Sequence, residues 1–139
     1  MSVAMITTYT DNLKELVELT WYKNKKLYCE KHDYKYHLLD STERFDDNDN
    51  FQYDKLGYLP KEYYGHVYTK VNGIQKLLYN YPEYSWLMWC DADTLITNFN
   101  TKIESFLDDK YHFIIASVFN GINAGIFCIR NSNLNLIQI

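Results

Sequence analysis

Cysteine is scarce in this 139-residue chain: Cys29, Cys90 and Cys128 are widely spaced, odd in number, and form no CxxC pair. Neither a disulfide framework nor a zinc site is supported by such a set. Two of the three lie in apolar runs, where a free thiol behaves as a small hydrophobe, and a reducing compartment is the natural reading. No window approaches the roughly 20 apolar residues that a membrane span needs. The opening MSVAMITTYTDN has neither the basic region nor the apolar stretch of a signal peptide, and no Asn-x-Ser/Thr sequon occurs. These absences predict soluble, cytoplasmic placement. Basic runs are missing too. The net charge is −4, and the densest positive cluster, Lys23 to Lys26, reads as a solvated helix face. That argues against nucleic-acid binding. Without an internal repeat or a linker, residues 1–139 are expected to form one domain.

What is present is ordinary for a globular protein. The composition is 47% hydrophobic and 23% charged, which argues against disorder. Tyrosine is abundant, at 14 residues. Tyrosine packs and still hydrogen-bonds, so the excess suits a protein with a polar ligand. It also suits a compositional bias, since Asn, Lys and Ile are frequent as well.

Hydrophobic patterning predicts strands at Val3–Thr8, Tyr34–Leu39, Trp86–Cys90, Phe113–Ser117 and Gly125–Arg130. Asp11 or Asn12 is placed to cap a first helix, with Glu15 completing a capping box. Its apolar face takes in Leu13, Leu16, Val17, Thr20, Leu27 and Tyr28, with Asn24 interrupting. A second helix runs from about Lys61 to Tyr81 on Val67, Val71, Ile74, Leu77, Leu78 and Tyr81, and Pro82 ends it. Ile103, Phe106 and Leu107 mark a short third one. Ser41–Asp54 is a polar, acidic loop. The alternation of strand and helix implies an α/β domain whose sheet is largely parallel in its first half.

Asp91 and Asp93 come directly after WLMWC, a run apolar enough to be buried on both faces. In open α/β sheets, ligands bind beyond the carboxyl ends of the strands. Two carboxylates one residue apart can converge there on one hard cation, which would neutralise a departing diphosphate. The bland reading is a strand-end turn with its usual aspartates. Asp47 and Asp49 repeat the spacing in the polar loop, with no buried strand before them. The same loop fails as a calcium-binding EF-hand, because Phe51 stands where glycine is required and Gly57 where the bidentate glutamate belongs.

Five blocks, in order, resemble the GT-A nucleotide-diphospho-sugar transferases, and glycosyltransferase family 34 in particular. They are AMITTYT, NKKLYCEKHDYKYHLLD, YTKVNGIQKLL, PEYSWLMWCDADTLITN and NAGIFCIRNS. Asp33 stands where that family usually has glycine, and Tyr68 where it has tryptophan. The resemblance implies a GT-A (Rossmann-like) α/β fold and a metal-dependent transfer of a sugar, with retention, from a UDP- or GDP-sugar to a glycan or other hydroxyl acceptor. It implies Mn²⁺ or Mg²⁺ on Asp91 and Asp93. It also places Thr7, Thr8, Lys70 and Asp91 near the nucleotide, and Asn123, Ala124 and Gly125 near the sugar and acceptor. Against these stand plainer readings: strand filling for Thr7 and Thr8, a solvated charge for Lys70, and a strand entry for Gly125. Arg130 reads as a surface charge, and His32, His37, His66 and His112 as structural.

The family continues past the NAG block with a segment near the reacting carbon and, later, a histidine that completes the metal shell. Neither lies before Ile139. The expectation is therefore a fold truncated at its C-terminus. Beside the transferase reading stands an alternative, a degenerate nucleotide-sugar-binding domain without catalysis.

Overall fold

The computed structural model describes residues 1–9, 11–40, 70–71, 73–75 and 77–132. The expectations for Ser41–Asp54, for Val67, His66 and Tyr68, and for the last seven residues lie outside that set.

Among the described residues, five strands form one sheet: β1 (Val3–Tyr9), β2 (Lys35–Asp40), β3 (Trp86–Cys90), β4 (Phe113–Val118) and β5 (Gly121–Arg130), in the order β2-β1-β3-β5-β4. β2, β1 and β3 run parallel, and β5 and β4 are antiparallel to their neighbours. The mixed α/β domain with a parallel first half is thus present. β5 begins at Gly121 rather than Gly125, because its first residues pair with β4 around a tight hairpin.

Side chains alternate across each strand, so the sheet builds two cores. Val3 and Met5 of β1 and Trp86 and Cys90 of β3 pack with Val17, Trp21, Tyr28 and Cys29 of the first helix. Ala4 and Ile6, with Leu87, Trp89 and Phe127, pack with Ile74 and Leu77 on the opposite face. The second set lies on helix α3, helical at residues 70–71, 73–75 and 77–80. Gly73 lets α3 come close to the sheet. A Cβ there would stand 3.2 Å from Ile6 Cδ1 and 3.3 Å from Leu39 Cδ1.

The first helix departs most from expectation. It opens with a 3₁₀ turn (Asp11–Leu13), passes through α1 (Lys14–Val17) into a π-helical stretch (Glu18–Lys25), and ends as α2 (Lys26–His32). Asp11 and Asn12 lie within the 3₁₀ turn, and the N-cap of α1 is Leu13, without a side-chain cap bond. A π-helix turns less per residue than an α-helix. The stripe therefore drifts, bringing Trp21, Lys25 and Cys29 inside and leaving Leu27 outside, 47% exposed. Thr20 contributes by donating its hydroxyl to Leu16 O at 3.0 Å, a bond that bends helices. The short third element is a 3₁₀ turn, Ile103–Phe106, in which Ile103 is buried and Phe106 exposed.

Asp33 comes after α2 in the left-handed region, at φ 57° and ψ 37°. This is the C-terminal cap position, where glycine carries no Cβ penalty. We expect Asp33→Gly to stabilise the fold by up to about 1 kcal/mol, raising the thermal midpoint by about 3–5 °C. A lower midpoint would mean that the aspartate stabilises this turn in its own right.

His37 of β2 lies half-buried, its Nε2 2.9 Å from Tyr84 Oη. Burial pushes its pKa below the ordinary value. The folded state thus prefers neutral imidazole, and the unfolded chain binds the proton more readily. This stabilisation is complete above about pH 6.5 and is lost as pH falls through the depressed folded value. Urea titrations at pH 7.5 and 5 should show a larger drop in wild type than in His37→Gln, and equal drops would refute the assignment.

Candidate functional site at the carboxyl end of β3

β1 has β2 on one side and β3 on the other, so the chain reverses direction of winding at β1. Crevices at such reversals, beyond the strands' carboxyl ends, are where α/β sheets bind ligands. Asp91 sits there. Its N–H donates to Gly125 O at 2.8 Å, which extends the β3–β5 ladder by one bond. Its own carbonyl accepts from Thr94 N at 3.1 Å and from Thr94 Oγ1 at 2.7 Å, closing the Asp-Ala-Asp turn. Within that turn the side chain of Ala92 is buried and Asp93 is exposed.

The alternation of β3 continues into the turn. Leu87 and Trp89 face α3, and Asp91 points to the same side. Asp91 Oδ1 accepts from Trp89 Nε1 at 2.6 Å and from Lys70 Nζ at 3.1 Å. Lys70 also donates to Ala124 O at 3.0 Å and stands 5.1 Å from the centroid of the Trp89 ring. Asn123 Oδ1 accepts from Gly125 N at 2.8 Å. Lys70, Asp91, Asn123, Ala124 and Gly125 are therefore brought together. Asp93 occupies the same turn.

Thr7 and Thr8 behave differently. Thr7 is fully buried, and its hydroxyl donates to Cys90 O at 2.7 Å. It braces β1 against the end of β3, the strand-filling role. Thr8 is half-buried on the α3 side of the sheet.

Sequence reasoning missed Lys25. The KNKK cluster is not simply a solvated face, because Lys25 has 0% exposure. Its ammonium donates to Thr20 O at 3.2 Å, Ala92 O at 3.3 Å and Thr94 O at 2.5 Å. Burial lowers its pKa, and the electrostatic attraction of Cys90, Asp93 and Asp91 opposes that shift. Beside it, Asn24 Oδ1 accepts from Ile96 N at 2.7 Å and Nδ2 donates to Ile96 O at 3.0 Å. A signal was present: position 25 falls on the stripe of Trp21 and Tyr28, where a lysine demands an explanation.

The three cysteines are free and buried. Burial raises the Cys29 thiol to about 12 and the Cys128 thiol to about 11, so both stay protonated at neutral pH. His32 Nε2 lies 2.6 Å from Phe99 O, and Arg130 pairs with Asp109.

Among the described residues, no three His, Cys, Asp or Glu side chains gather as a metal cluster. The donors at the turn are two carboxylates. That set suits Mg²⁺-like ions, which take one or two carboxylates and complete their shell with phosphate and water. A cavity of about 550 Å³, lined by Tyr34, Lys35, Tyr36, His37, Tyr81 and Tyr84 among others, lies elsewhere, where β2 begins.

Residues 2–111 match the profile of the galactosyl transferase GMA12/MNN10 family. The chain belongs to that family. An uncharacterized alpha-1,2-galactosyltransferase of Schizosaccharomyces pombe is 30% identical over 146 aligned positions, covering 81% of this chain and 36% of the relative. An alpha-1,2-galactosyltransferase of the same yeast is 27% identical over the same shares. The chain thus spans about a third of the length of these relatives. Its fold is similar to that of a glycosyltransferase involved in the glycosylation of the major capsid of PBCV-1, with a TM-score of 0.64 and 18% identity over 94% of this chain and 60% of that one. The GMA12/MNN10 profile takes in the Asp91–Asp93 turn and both lysines but stops short of β4. Among the described residues, no helix is long and apolar enough to cross a membrane.

Gly125 allows β5 to approach Asp91. A Cβ there would stand 3.0 Å from Asn123 Oδ1 and 3.3 Å from Asp91 Oδ2. Gly125→Ala should therefore crowd the Asp91 carboxylate and destabilise by about 1–3 kcal/mol, read as a lower thermal midpoint. An unchanged midpoint would show that the hairpin yields freely.

Proposed function

We propose that this chain is the donor-binding part of a glycosyltransferase that moves a hexosyl group from a nucleotide diphosphate sugar, UDP- or GDP-linked, to a hydroxyl of a glycan or similar acceptor. The observation that carries the reading is the Asp91–Lys70 ion pair of 3.1 Å at the end of a buried strand, beside the exposed Asp93. The GMA12/MNN10 relatives named as galactosyltransferases favour galactose as the transferred group.

In this reading Asp91 and Asp93 hold a divalent ion, Mn²⁺ or Mg²⁺. When bound, such an ion supplies the positive charge that the leaving diphosphate requires. Lys70 adds a second positive charge at the same place. Its contacts to Asp91 and Ala124 keep the ammonium between the turn and the β5 backbone. Preset charges of this kind need no reorganisation as negative charge develops. Within Asn123–Gly125, the small Ala124 and Gly125 let a sugar approach the backbone. The reaction is expected to retain the anomeric configuration, as the resemblance to family 34 implies.

The test is release of UDP or GDP from donor sugars in the presence of Mn²⁺, with donor binding measured by calorimetry. Asp93→Ala is expected to weaken donor binding in Mn²⁺ by at least about tenfold, and Lys70→Met to weaken it less. Binding without release would favour a non-catalytic nucleotide-sugar domain. Unchanged donor affinity in Asp93→Ala would sink the site assignment. NMR of the product would read the anomeric outcome.

A further inference from the structure

From Ala92 to Lys102 the backbone belongs to neither helix nor strand. Such a segment must satisfy its polar groups by other means. Here the first helix supplies them. Lys25 takes the carbonyls of Ala92 and Thr94, Asn24 takes both polar groups of Ile96, and Tyr28 donates to Thr101 O at 2.7 Å. Asn24 and Lys25 are the last two residues of the π-helical stretch, and they hold the turn and the residue two beyond it. π-Helical turns often occur where side chains must be re-aimed for function.

We propose that Asn24 and Lys25 are positioning residues for the metal-binding turn. By fixing the carbonyls of Ala92, Thr94 and Ile96, they set the separation and direction of the Asp91 and Asp93 carboxylates before any ligand arrives. The inference rests on the cation reading given above. It extends that reading to two residues, neither of which touches the cation or the donor.

Charge and position make opposite predictions for Lys25. Its ammonium bonds the carbonyls of Ala92 and Thr94, the residues on either side of Asp93. By charge alone it repels a cation, so its removal would tighten metal binding. If position dominates, removal loosens the turn and weakens binding. Asn24 carries no charge, and its side chain is partly exposed, so Asn24→Ala tests position alone.

The experiment is a titration of the full 139-residue chain with MnCl₂, free Mn²⁺ being read by electron paramagnetic resonance. Wild type, Asp93→Ala, Asn24→Ala and Lys25→Met are compared under conditions where near-ultraviolet circular dichroism shows each folded. Asn24→Ala is expected to lose about tenfold in Mn²⁺ affinity and to exchange the Ile96 amide faster, and Lys25→Met to lose affinity as well. Folded Asn24→Ala with wild-type affinity, or Lys25→Met with tighter binding, overturns the proposal while leaving the cation reading intact. Should Lys25→Met fail to fold, Asn24→Ala decides. If wild type and Asp93→Ala bind Mn²⁺ alike, the cation reading falls, and this proposal with it.

Discussion

A fully buried ammonium must have all its protons accepted, and Lys25 meets that condition with three carbonyls. Removing such a charge from water costs several kcal/mol even after relaxation, on the order of 5. Each hydrogen bond to a charged group contributes about 1.5–3 kcal/mol, so three bonds roughly offset the loss. The balance holds only if the Ala92 and Thr94 carbonyls stay within reach. The helix and the Asp-Ala-Asp turn are therefore tied to one geometry.

The sheet carries that tie to its other face. Alternation along β3 sends Ala92 toward the first helix and Asp91 toward α3. Lys25 holds the turn's carbonyls from one side, and Lys70 holds its first carboxylate from the other, 3.1 Å from Oδ1. The roles differ because the surroundings differ. The Lys25 ammonium is sealed, whereas the Lys70–Asp91 pair is partly exposed, so solvent screens it and its own contribution to stability is small. An exposed charge pair is the one that can exchange partners with a ligand.

The same need for partners explains part of the tyrosine excess. Tyr28 donates to Thr101 O, while Tyr34 bonds Glu104 and accepts from Ile103 N at 3.1 Å. Burial raises the Tyr28 phenol to about 12, and desolvation raises Tyr34 as well, so both remain neutral donors. Each packs an aromatic ring into the core, and the Tyr28 hydroxyl goes to the irregular segment beyond the turn while the Tyr34 hydroxyl goes to the 3₁₀ turn that follows it. These tyrosines serve the fold rather than a polar ligand.

The strands and the position of the Asp-x-Asp pair were legible in the sequence because they depend on local pattern. An unbroken apolar run such as WLMWC has few ways to bury itself, and the residues just after it fall at a sheet edge. The resemblance to family 34 was legible too, as ordered blocks. The sequence marked position 33 only as an aspartate where family 34 usually has glycine, and the structure gives the reason, a left-handed cap that Asp33 occupies. What the sequence left open was every feature that depends on partners distant along the chain. A lysine in an apolar stripe, a threonine in a strand and an asparagine breaking a helical face look alike whether solvated or bound. Only the packing of the first helix against residues 92–104 decided that Lys25 is sealed and that Asn24 holds Ile96, and only the pairing of β1 with β3 decided that Thr7 is bonded to Cys90. Local pattern fixes which face a residue prefers, but a buried polar group is settled by the acceptors that the whole fold brings to it.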